Sequence, residues 1–181
     1  MSPLTESDTE ALGGAPIAAG TLRLREMCAG DHSRVLELNL ASEHHLSPLD
    51  RGRLEWISAL ACRCVVVESA VEVVGFAFSI APDSAYDSRN YAWLSQRFER
   101  FLYVDRVVVC ERSRRRGIAT LIYDELEVTA VAFGRVVCDI NVEPPNEASL
   151  AFHRARGYRE QGRLTHPDGH IAALLCKVVR E

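Results

Sequence analysis

Apolar and polar residues alternate or cluster along the chain in a pattern that predicts strands and helices in mixed order. The stretch "TLRLREM" alternates with period two and predicts a first strand. Next, "DHSRVLELNLASEHHL", with Asp31 as N-cap, and "LDRGRLEWISALA" carry apolar residues at helical spacing and predict two helices. The β-rich run "CVVVESAVEVVGFAFSIA" predicts a hairpin around Ser69 and Ala70.

The second half of the chain continues with strands and helices in turn. "LYVDRVVVC" predicts a long strand, followed by a helix from Gly117 to Phe133 that Gly134 closes. "RVVCDIN" predicts another strand, which "EPPN" stops before Asn146 caps a helix through Arg156. "YREQGRL" and "IAALLCKVV" predict a final hairpin. The resulting order, β-α-α-β-β-β-α-β-α-β-β, indicates an α+β fold.

Two segments depart from this pattern. Residues 1–20 are small, polar and turn-forming, which predicts a flexible N-terminal tail ahead of a single domain over residues 21–181. "PDSAYDSRNYAWLSQRFERF" is an aromatic and polar insertion that ends in a short predicted helix.

Composition narrows the class of protein. The net charge of −4 argues against general nucleic-acid binding, and no apolar run reaches the roughly 20 residues that span a bilayer. No signal peptide is evident. The six cysteines show no C-x-x-C spacing, so a zinc site is not expected. Without an export signal, we expect the cysteines to be in a reducing compartment. We therefore expect a cytoplasmic protein with no metal, no membrane and no nucleic-acid partner.

The densest positive charge, "RSRRRGIAT", stands where a predicted strand runs into a predicted helix. Free N–H groups and the helix dipole make such a corner an anion site. Gly117 permits close approach of a ligand, Ala119 is nearly as small, and Thr120 adds a hydroxyl donor. A solvated turn and a nucleic-acid patch are the alternatives, but no aromatic residues are interleaved as the second would require. A cradle for a phosphorylated small molecule is the favoured interpretation.

Two motifs make a family resemblance specific. "RRRGIA" fits R/Q-x-x-G-x-G/A, the pyrophosphate-binding loop of the GNAT superfamily of acyl-CoA N-acyltransferases, and "NEASLAFHRARGY" resembles the helix and turn that the superfamily carries further on. The resemblance covers Thr21 to Val179, and runs such as "YDSRNYAWL" resemble an uncharacterised bacterial subgroup of predicted acetyltransferases. It implies the GNAT fold, a central mixed, mostly antiparallel sheet flanked by helices.

The resemblance also implies a cosubstrate, acetyl-CoA, and the residues that would bind it. Backbone groups of the cofactor strand would pair with the pantetheine arm, while the side chains of that strand belong to the core and at least one arginine faces solvent. The expected cofactor-binding residues are Val107, Val108, Val109, Arg114, Arg115, Arg116, Gly117, Ile118, Ala119, Thr120, Asn141 and Asn146.

Tyr103, Asp105 and His153 are the candidates for catalysis. Alternation places Tyr103, Asp105, Val107 and Val109 on one face of the cofactor strand, where the family usually has its base. Asp105 is the candidate base, with pairing to a neighbouring arginine as the alternative. His153 stands where many GNAT proteins carry a proton-donating Tyr, and a packing role is its alternative.

The amine acceptor is expected beside the aromatic insertion. Tyr86, Asn90, Tyr91 and Trp93 are candidates for its pocket, although a loop seal or a dimer contact would equally explain them. Glu43, His44 and His45 lie near the first helix end, also a frequent acceptor wall, but a solvated helix end is the favoured interpretation of the histidines. His32, His166 and His170 lie at predicted turns and receive no role.

These features together predict an acetyl-CoA-dependent N-acetyltransferase. It would act on an unidentified small-molecule or peptide amine by direct transfer in a ternary complex. A non-catalytic acyl-CoA-binding regulatory module is the alternative, and homodimerisation is left open.

Overall fold

The computed structural model describes residues 21–44, 46–70 and 72–180. The predicted tail, residues 1–20, lies outside the described residues, as does His45. The elements are β1 (Leu22–Glu26), α1 (His32–Leu40), α2 (Arg51–Leu60), β2 (Arg63–Ser69), β3 (Glu72–Ile80), α3 (Arg89–Ser95), β4 (Leu102–Val109), α4 (Ile118–Ala130), β5 (Arg135–Glu143), α5 (Glu147–Ala155), β6 (Arg159–Thr165) and β7 (Ile171–Val178).

The predicted fold is confirmed, and α3 is the short helix predicted in the aromatic insertion, which the predicted order did not count. The predicted cap Asn146 is present and accepts a hydrogen bond from the Ser149 N–H at 3.2 Å. Asp50, for which no cap was predicted, caps α2 by accepting from the Arg53 N–H at 2.7 Å. Asp31 precedes α1 but does not cap it through its side chain. Its carboxylate accepts instead from the Arg25 guanidinium, because that charged donor competes with the backbone of α1.

The described strands form one seven-stranded sheet in the order β1-β2-β3-β4-β5-β7-β6. All neighbours are antiparallel except β4 and β5. That parallel pairing runs only from Leu102 opposite Val136 to Val104 opposite Cys138. Beyond it β4 stays paired with β3 and β5 stays paired with β7, so the two strands separate and leave a cleft between them.

A β-bulge marks the point where β4 leaves β5. Phe78 of β3 lies opposite Arg106 and Ser79 lies opposite Val104, so Asp105 is an extra residue without a partner on β3. The strict alternation predicted for β4 is therefore interrupted. The adjacent side chains of Asp105 and Arg106, which alternation would place on opposite faces, form an ion pair of 2.7 Å instead.

The helix α4 packs closely against β3 and β4. Ile118, Ile122 and Leu126 of this helix are buried in the core. Gly75 permits the approach, because a Cβ there would lie 2.9 Å from the Val108 carbonyl oxygen and 3.0 Å from Ile118 Cγ2. This packing fixes the start of α4 at the cleft.

The strand β6 lies at one edge of the sheet. Its register slips between Glu160 and Gly162, which marks a bulge at Gln161, and its charged residues Arg159, Glu160 and Arg163 are exposed. Among the residues that the structure describes, no helix is long and apolar enough to cross a membrane.

Candidate active site

A cavity of about 490 Å³ occupies the gap between the separated ends of β4 and β5. Val107, Val108 and Val109 line it from β4, and Ile140 and Asn141 line it from β5. Because β4 is not paired with β5 here, the edge of its backbone that faces the cavity is left for a ligand. The Val108 side chain is buried, as the sequence interpretation expected of this strand.

The helix α4 begins at one end of this cavity. Gly117 precedes it with φ 79°, in the left-handed region, and no side chain caps the helix. The Leu121 N–H, which bonds the Gly117 carbonyl at 2.9 Å, is the first helical donor, and it leaves the preceding N–H groups of Ile118, Ala119 and Thr120 free of helical partners. No atom lies within 4 Å of the Cβ position at Gly117. This corner has the geometry of an anion site.

The arginines ahead of this helix divide into two groups. Arg114 and Arg115 are exposed and line the cavity. Arg116 is half-buried and directs its guanidinium to the Ser69 hydroxyl at 3.4 Å. Two of the predicted phosphate-binding arginines therefore lie at the cavity, and the third contacts the β2–β3 hairpin.

Another wall of the cavity comes from α5 and the Asn146 cap before it. Asn146, Ser149, Phe152 and His153 line it, and the Asn146 N–H donates to the Asn141 carbonyl at 2.9 Å. The predicted cofactor-binding asparagines are thus joined at this wall.

His153 lies buried in this wall with both ring nitrogens engaged. Nδ1 lies 2.7 Å from the Ser149 carbonyl oxygen, and Nε2 lies 2.6 Å from the Tyr123 hydroxyl. A carbonyl only accepts, so Nδ1 carries the proton and Nε2 accepts from Tyr123. Burial lowers the pKa of His153, which favours the neutral ring.

A second cavity, of about 640 Å³, adjoins the first. It is lined by the loop after α1, the start of α2, the segment before α3 and the β6–β7 turn. The two cavities share residues in the loop after α1, at the β4 bulge and on β5, namely His44, Leu46, Asp105, Arg106, Asp139 and Asn141. Glu43 also lines the second cavity, at the place where the sequence analysis considered an acceptor wall.

Asp105, the predicted base, is held between two donors. Arg106 Nε donates to Oδ2 at 2.7 Å, and the Tyr86 hydroxyl donates to Oδ1. Arg106 is itself buried and reaches Asn39 Oδ1 at 2.8 Å. The carboxylate thus compensates a buried guanidinium, which is the alternative that the sequence left open.

Asp139, on β5 across the cleft, was missed by the sequence analysis. The Tyr103 hydroxyl donates to its Oδ1 at 2.6 Å. Burial raises the pKa of Asp139 to about 6, and the nearby Asp105 charge adds to the shift. A single carboxylate inside the apolar run "VVCDIN" was the signal that could have indicated it.

The predicted acceptor residues separate into two pairs. Tyr86 and Asn90 line the second cavity. The Tyr91 hydroxyl donates to the Ala81 carbonyl at 2.8 Å, and Trp93 packs against Gly162 of β6, so neither contributes to the lining of that cavity. Their contacts correspond to the loop-seal alternative.

Two histidines without a predicted role lie at the second cavity. His166 and His170 face each other across the β6–β7 turn with parallel rings 3.9 Å apart between centroids. His170 Nδ1 lies 2.6 Å from Asp168, and His166 Nε2 lies 2.9 Å from Asn90 Oδ1. Within the described part of the chain, no cluster of three or more His, Cys, Asp or Glu side chains could hold a metal ion.

A cleft between separated strands beside an uncapped helix start has the geometry of a site for an elongated ligand that carries an anionic group. The family model for the acetyltransferase (GNAT) family matches residues 27–158. The chain belongs to this family of acetyltransferases, which confirms the predicted superfamily and enzyme class.

Solved structures with the same fold include three proteins of low sequence identity. Ard1 from Thermoplasma volcanium is 18% identical with a TM-score of 0.70, covering 88% of this chain and 99% of its own. Phosphinothricin acetyltransferase from Sinorhizobium meliloti, in complex with acetyl-CoA, is 20% identical with a TM-score of 0.65, covering 89% and 90%. NAA60 from Arabidopsis thaliana, with a bisubstrate analogue, is 15% identical with a TM-score of 0.69, covering 88% and 98%. Comparison with curated proteins gave no significant match.

Proposed function

We propose that the protein binds acetyl-CoA in the cleft between β4 and β5 and transfers its acetyl group directly to a primary amine. The observation that carries the proposal is the junction of two cavities at Asp105 and Asp139. One cavity has an anion site at its end and the other is open to an acceptor, so both substrates can meet in a ternary complex.

The corner before α4 would hold the pyrophosphate. The N–H groups of Ile118, Ala119 and Thr120 and the charges of Arg114 and Arg115 would neutralise the phosphates. The free edge of β4 at Val107 and Val109 would pair with the pantetheine amides, and the thioester would then reach the bulge at Asp105.

Asp139 is better suited than Asp105 to act as the general base. A base works best when its pKa lies near the working pH, and Asp139 has a pKa raised to about 6. Asp105 is committed to Arg106 and Tyr86. In the proposed reaction Asp139 takes a proton from the substrate ammonium, and the free amine attacks the thioester carbon. The tetrahedral intermediate collapses to the amide, and the second amine proton leaves with the CoA thiolate as the thiol.

For His153 the hydrogen bonds support a holding role. The neutral ring accepts from Tyr123 and donates to Ser149, so it fixes Tyr123 at the wall of the cleft. This is the packing alternative that the sequence analysis weighed against proton donation.

An amine panel with measurement of CoA thiol release tests the function. Amino acids, polyamines, aminoglycosides and peptide N-termini would each be supplied with acetyl-CoA. We expect one class to be acetylated with intersecting initial-rate patterns and no acetylated protein when acetyl-CoA is supplied alone. Parallel patterns with an acetyl-enzyme would overturn direct transfer. CoA binding without turnover of any amine would favour the regulatory module.

A further inference from the structure

The ion pair at the β4 bulge is bonded to two segments that line the second cavity. On one side the Tyr86 hydroxyl, from the segment before α3, donates to Asp105 Oδ1. On the other side Arg106 Nη2 donates to the Ser47 hydroxyl at 3.1 Å, and Nη1 donates to the Ser47 carbonyl oxygen at 3.4 Å. Ser47 lies in the loop between α1 and α2, and both Ser47 and Tyr86 line the second cavity. The ion pair therefore joins two walls of this cavity.

A second link to the same loop runs through Asn39 of α1, which is fully buried. Arg106 Nη1 donates to Asn39 Oδ1 at 2.8 Å, and Asn39 Nδ2 donates to the Ser47 carbonyl oxygen at 3.3 Å. A guanidinium only donates, so the amide oxygen must face Arg106 and the NH₂ group is left for Ser47. Arg106, Asn39 and Ser47 thus form a closed set of hydrogen bonds that joins β4, α1 and the α1–α2 loop.

Burial and the shape of the guanidinium make Arg106 hard to replace at this place. The side chains of Arg106 and Asp105 are 3% and 7% exposed, so water cannot substitute for a lost partner. The guanidinium carries five N–H donors in a rigid fork, and these reach three different residues, which a lysine ammonium could not do in the same geometry. The extra residue in the bulge brings the two charged side chains together in the first place.

We propose that Arg106, paired with Asp105, is a positioning residue for the amine acceptor, which holds the α1–α2 loop and Tyr86 in place as walls of the second cavity. The inference rests on the proposed function, since that function assigns the amine to this cavity. Fixed walls spare the amine the cost of ordering its own site when it binds. The loss of either link should therefore weaken amine binding more than it affects the cofactor.

Arg106→Lys and Ser47→Ala test the link to the α1–α2 loop in the full chain. Lys keeps a positive charge but loses the fork, whereas Ala removes one acceptor of Arg106. Backbone order parameters of residues 46–50, from ¹⁵N relaxation, measure the loop without any ligand. We expect about 0.85 in the wild type and less than about 0.6 in Arg106→Lys. The control is Ser58→Ala, which removes a hydroxyl bonded to a backbone carbonyl within α2 and should leave these values unchanged, because Ser58 lines neither cavity.

The kinetic test uses the amine that the panel shows to be acetylated. We expect its KM to rise about tenfold in Ser47→Ala and in Tyr86→Phe, with kcat and the CoA Kd changing by less than about threefold. Tyr158→Phe is the control for Tyr86→Phe, because it also removes a hydroxyl that donates to a carboxylate but lies outside both cavities. In an Arg106→Lys background, Ser47→Ala should raise the amine KM no further, since the bond is already lost.

Two results would overturn the proposal: unchanged order parameters of residues 46–50 in Arg106→Lys, or an equal amine KM in Ser47→Ala and Ser58→Ala. Should Arg106→Lys fail to fold, Ser47→Ala decides alone, because it alters no buried charge. If the order parameters fall as expected while the wild type acetylates no amine of the panel, Arg106 holds the loop and the proposed function fails instead.

Discussion

The two cavities are built from different parts of the polypeptide. The cleft between β4 and β5 is made largely by the backbone: two diverging strands, a left-handed glycine and the free N–H groups of α4. The second cavity is lined by residues from several separate segments, with Asp139 of β5 and His166 of the β6–β7 turn among them. The first offers fixed donors that suit the constant part of a cofactor. The second can change residue by residue, which suits an acceptor that differs among members of one fold.

The largest expected effect is on activity at the junction of the cavities. Asp139→Asn should lower kcat/KM by about 10²–10⁴, the range of general base catalysis, and leave the CoA Kd unchanged. In the wild type the acidic limb should fall near pH 6, the pKa of Asp139. Activity within about threefold of the wild type would exclude Asp139 as the base.

Replacing Asp105 should lower the stability of the protein and leave the pH dependence of its activity unchanged. Asp105→Asn leaves the buried Arg106 guanidinium without its carboxylate and should lower the free energy of unfolding by about 3–5 kcal/mol. Denaturant melts at pH 7 measure the loss. A fully stable Asp105→Asn protein with a lost acidic limb would instead support the base role first predicted for this residue.

Asp139→Asn should also make the protein more stable at neutral pH. The native carboxyl titrates at about 6, and the unfolded one near 3.9, so the native state binds more protons between these values. Wild-type stability therefore falls as pH rises from about 4 to about 6, by on the order of 2 kcal/mol. The variant lacks this loss. Its free energy of unfolding should therefore exceed that of the wild type by a larger amount at pH 7 than at pH 4, as measured in denaturant melts. An equal difference at both pH values would contradict the raised pKa.

The role of the corner before α4 can be tested by comparing two glycines, Gly117 before this helix and Gly134 after it. Gly117 and Gly134 have φ of 79° and 77°, and nothing lies within 4 Å of either Cβ position. Alanine at each should cost about 1 kcal/mol through the same left-handed strain. Only Gly117→Ala should weaken CoA binding, by about tenfold, in a calorimetric titration. Equal CoA affinities would remove the anion corner from the binding site.

The smallest effect on activity is expected at His153. His153→Phe removes the partners of Tyr123 and Ser149 and should lower the free energy of unfolding by about 1–2 kcal/mol, with kcat nearly unchanged. A large loss of kcat in Phe, partly restored in His153→Tyr and accompanied by an altered alkaline limb, would establish the acid role instead.

These contrasts explain which features the sequence could indicate. Gly117 and Asn146 were identified because a left-handed corner and a helix cap each favour particular residues within a few positions. Tyr103 meets Asp139 only through the pairing of β4 with β5, and His166 meets Asn90 only through the position of a turn far along the chain. Local patterns carry no record of such pairings, so Asp139 and His166 received no role.

The β4 bulge shows the same limit in a single strand. Alternation predicted that Asp105 and Arg106 would face opposite sides, but the extra residue brings them into contact. Nothing in "YVDRVVV" distinguishes a bulged strand from a regular one, since the bulge depends on how β3 is paired. The cellular location and the oligomeric state stay predictions.

The edge strand β6 limits how copies of the protein can assemble. A bulge at Gln161 and the charges of Arg159, Glu160 and Arg163 disfavour a neighbouring chain extending the sheet there, because pairing would distort the ladder and desolvate those charges. Fibre-like growth through this edge is thereby discouraged. A homodimer would have to join through a face of the molecule other than the β6 edge.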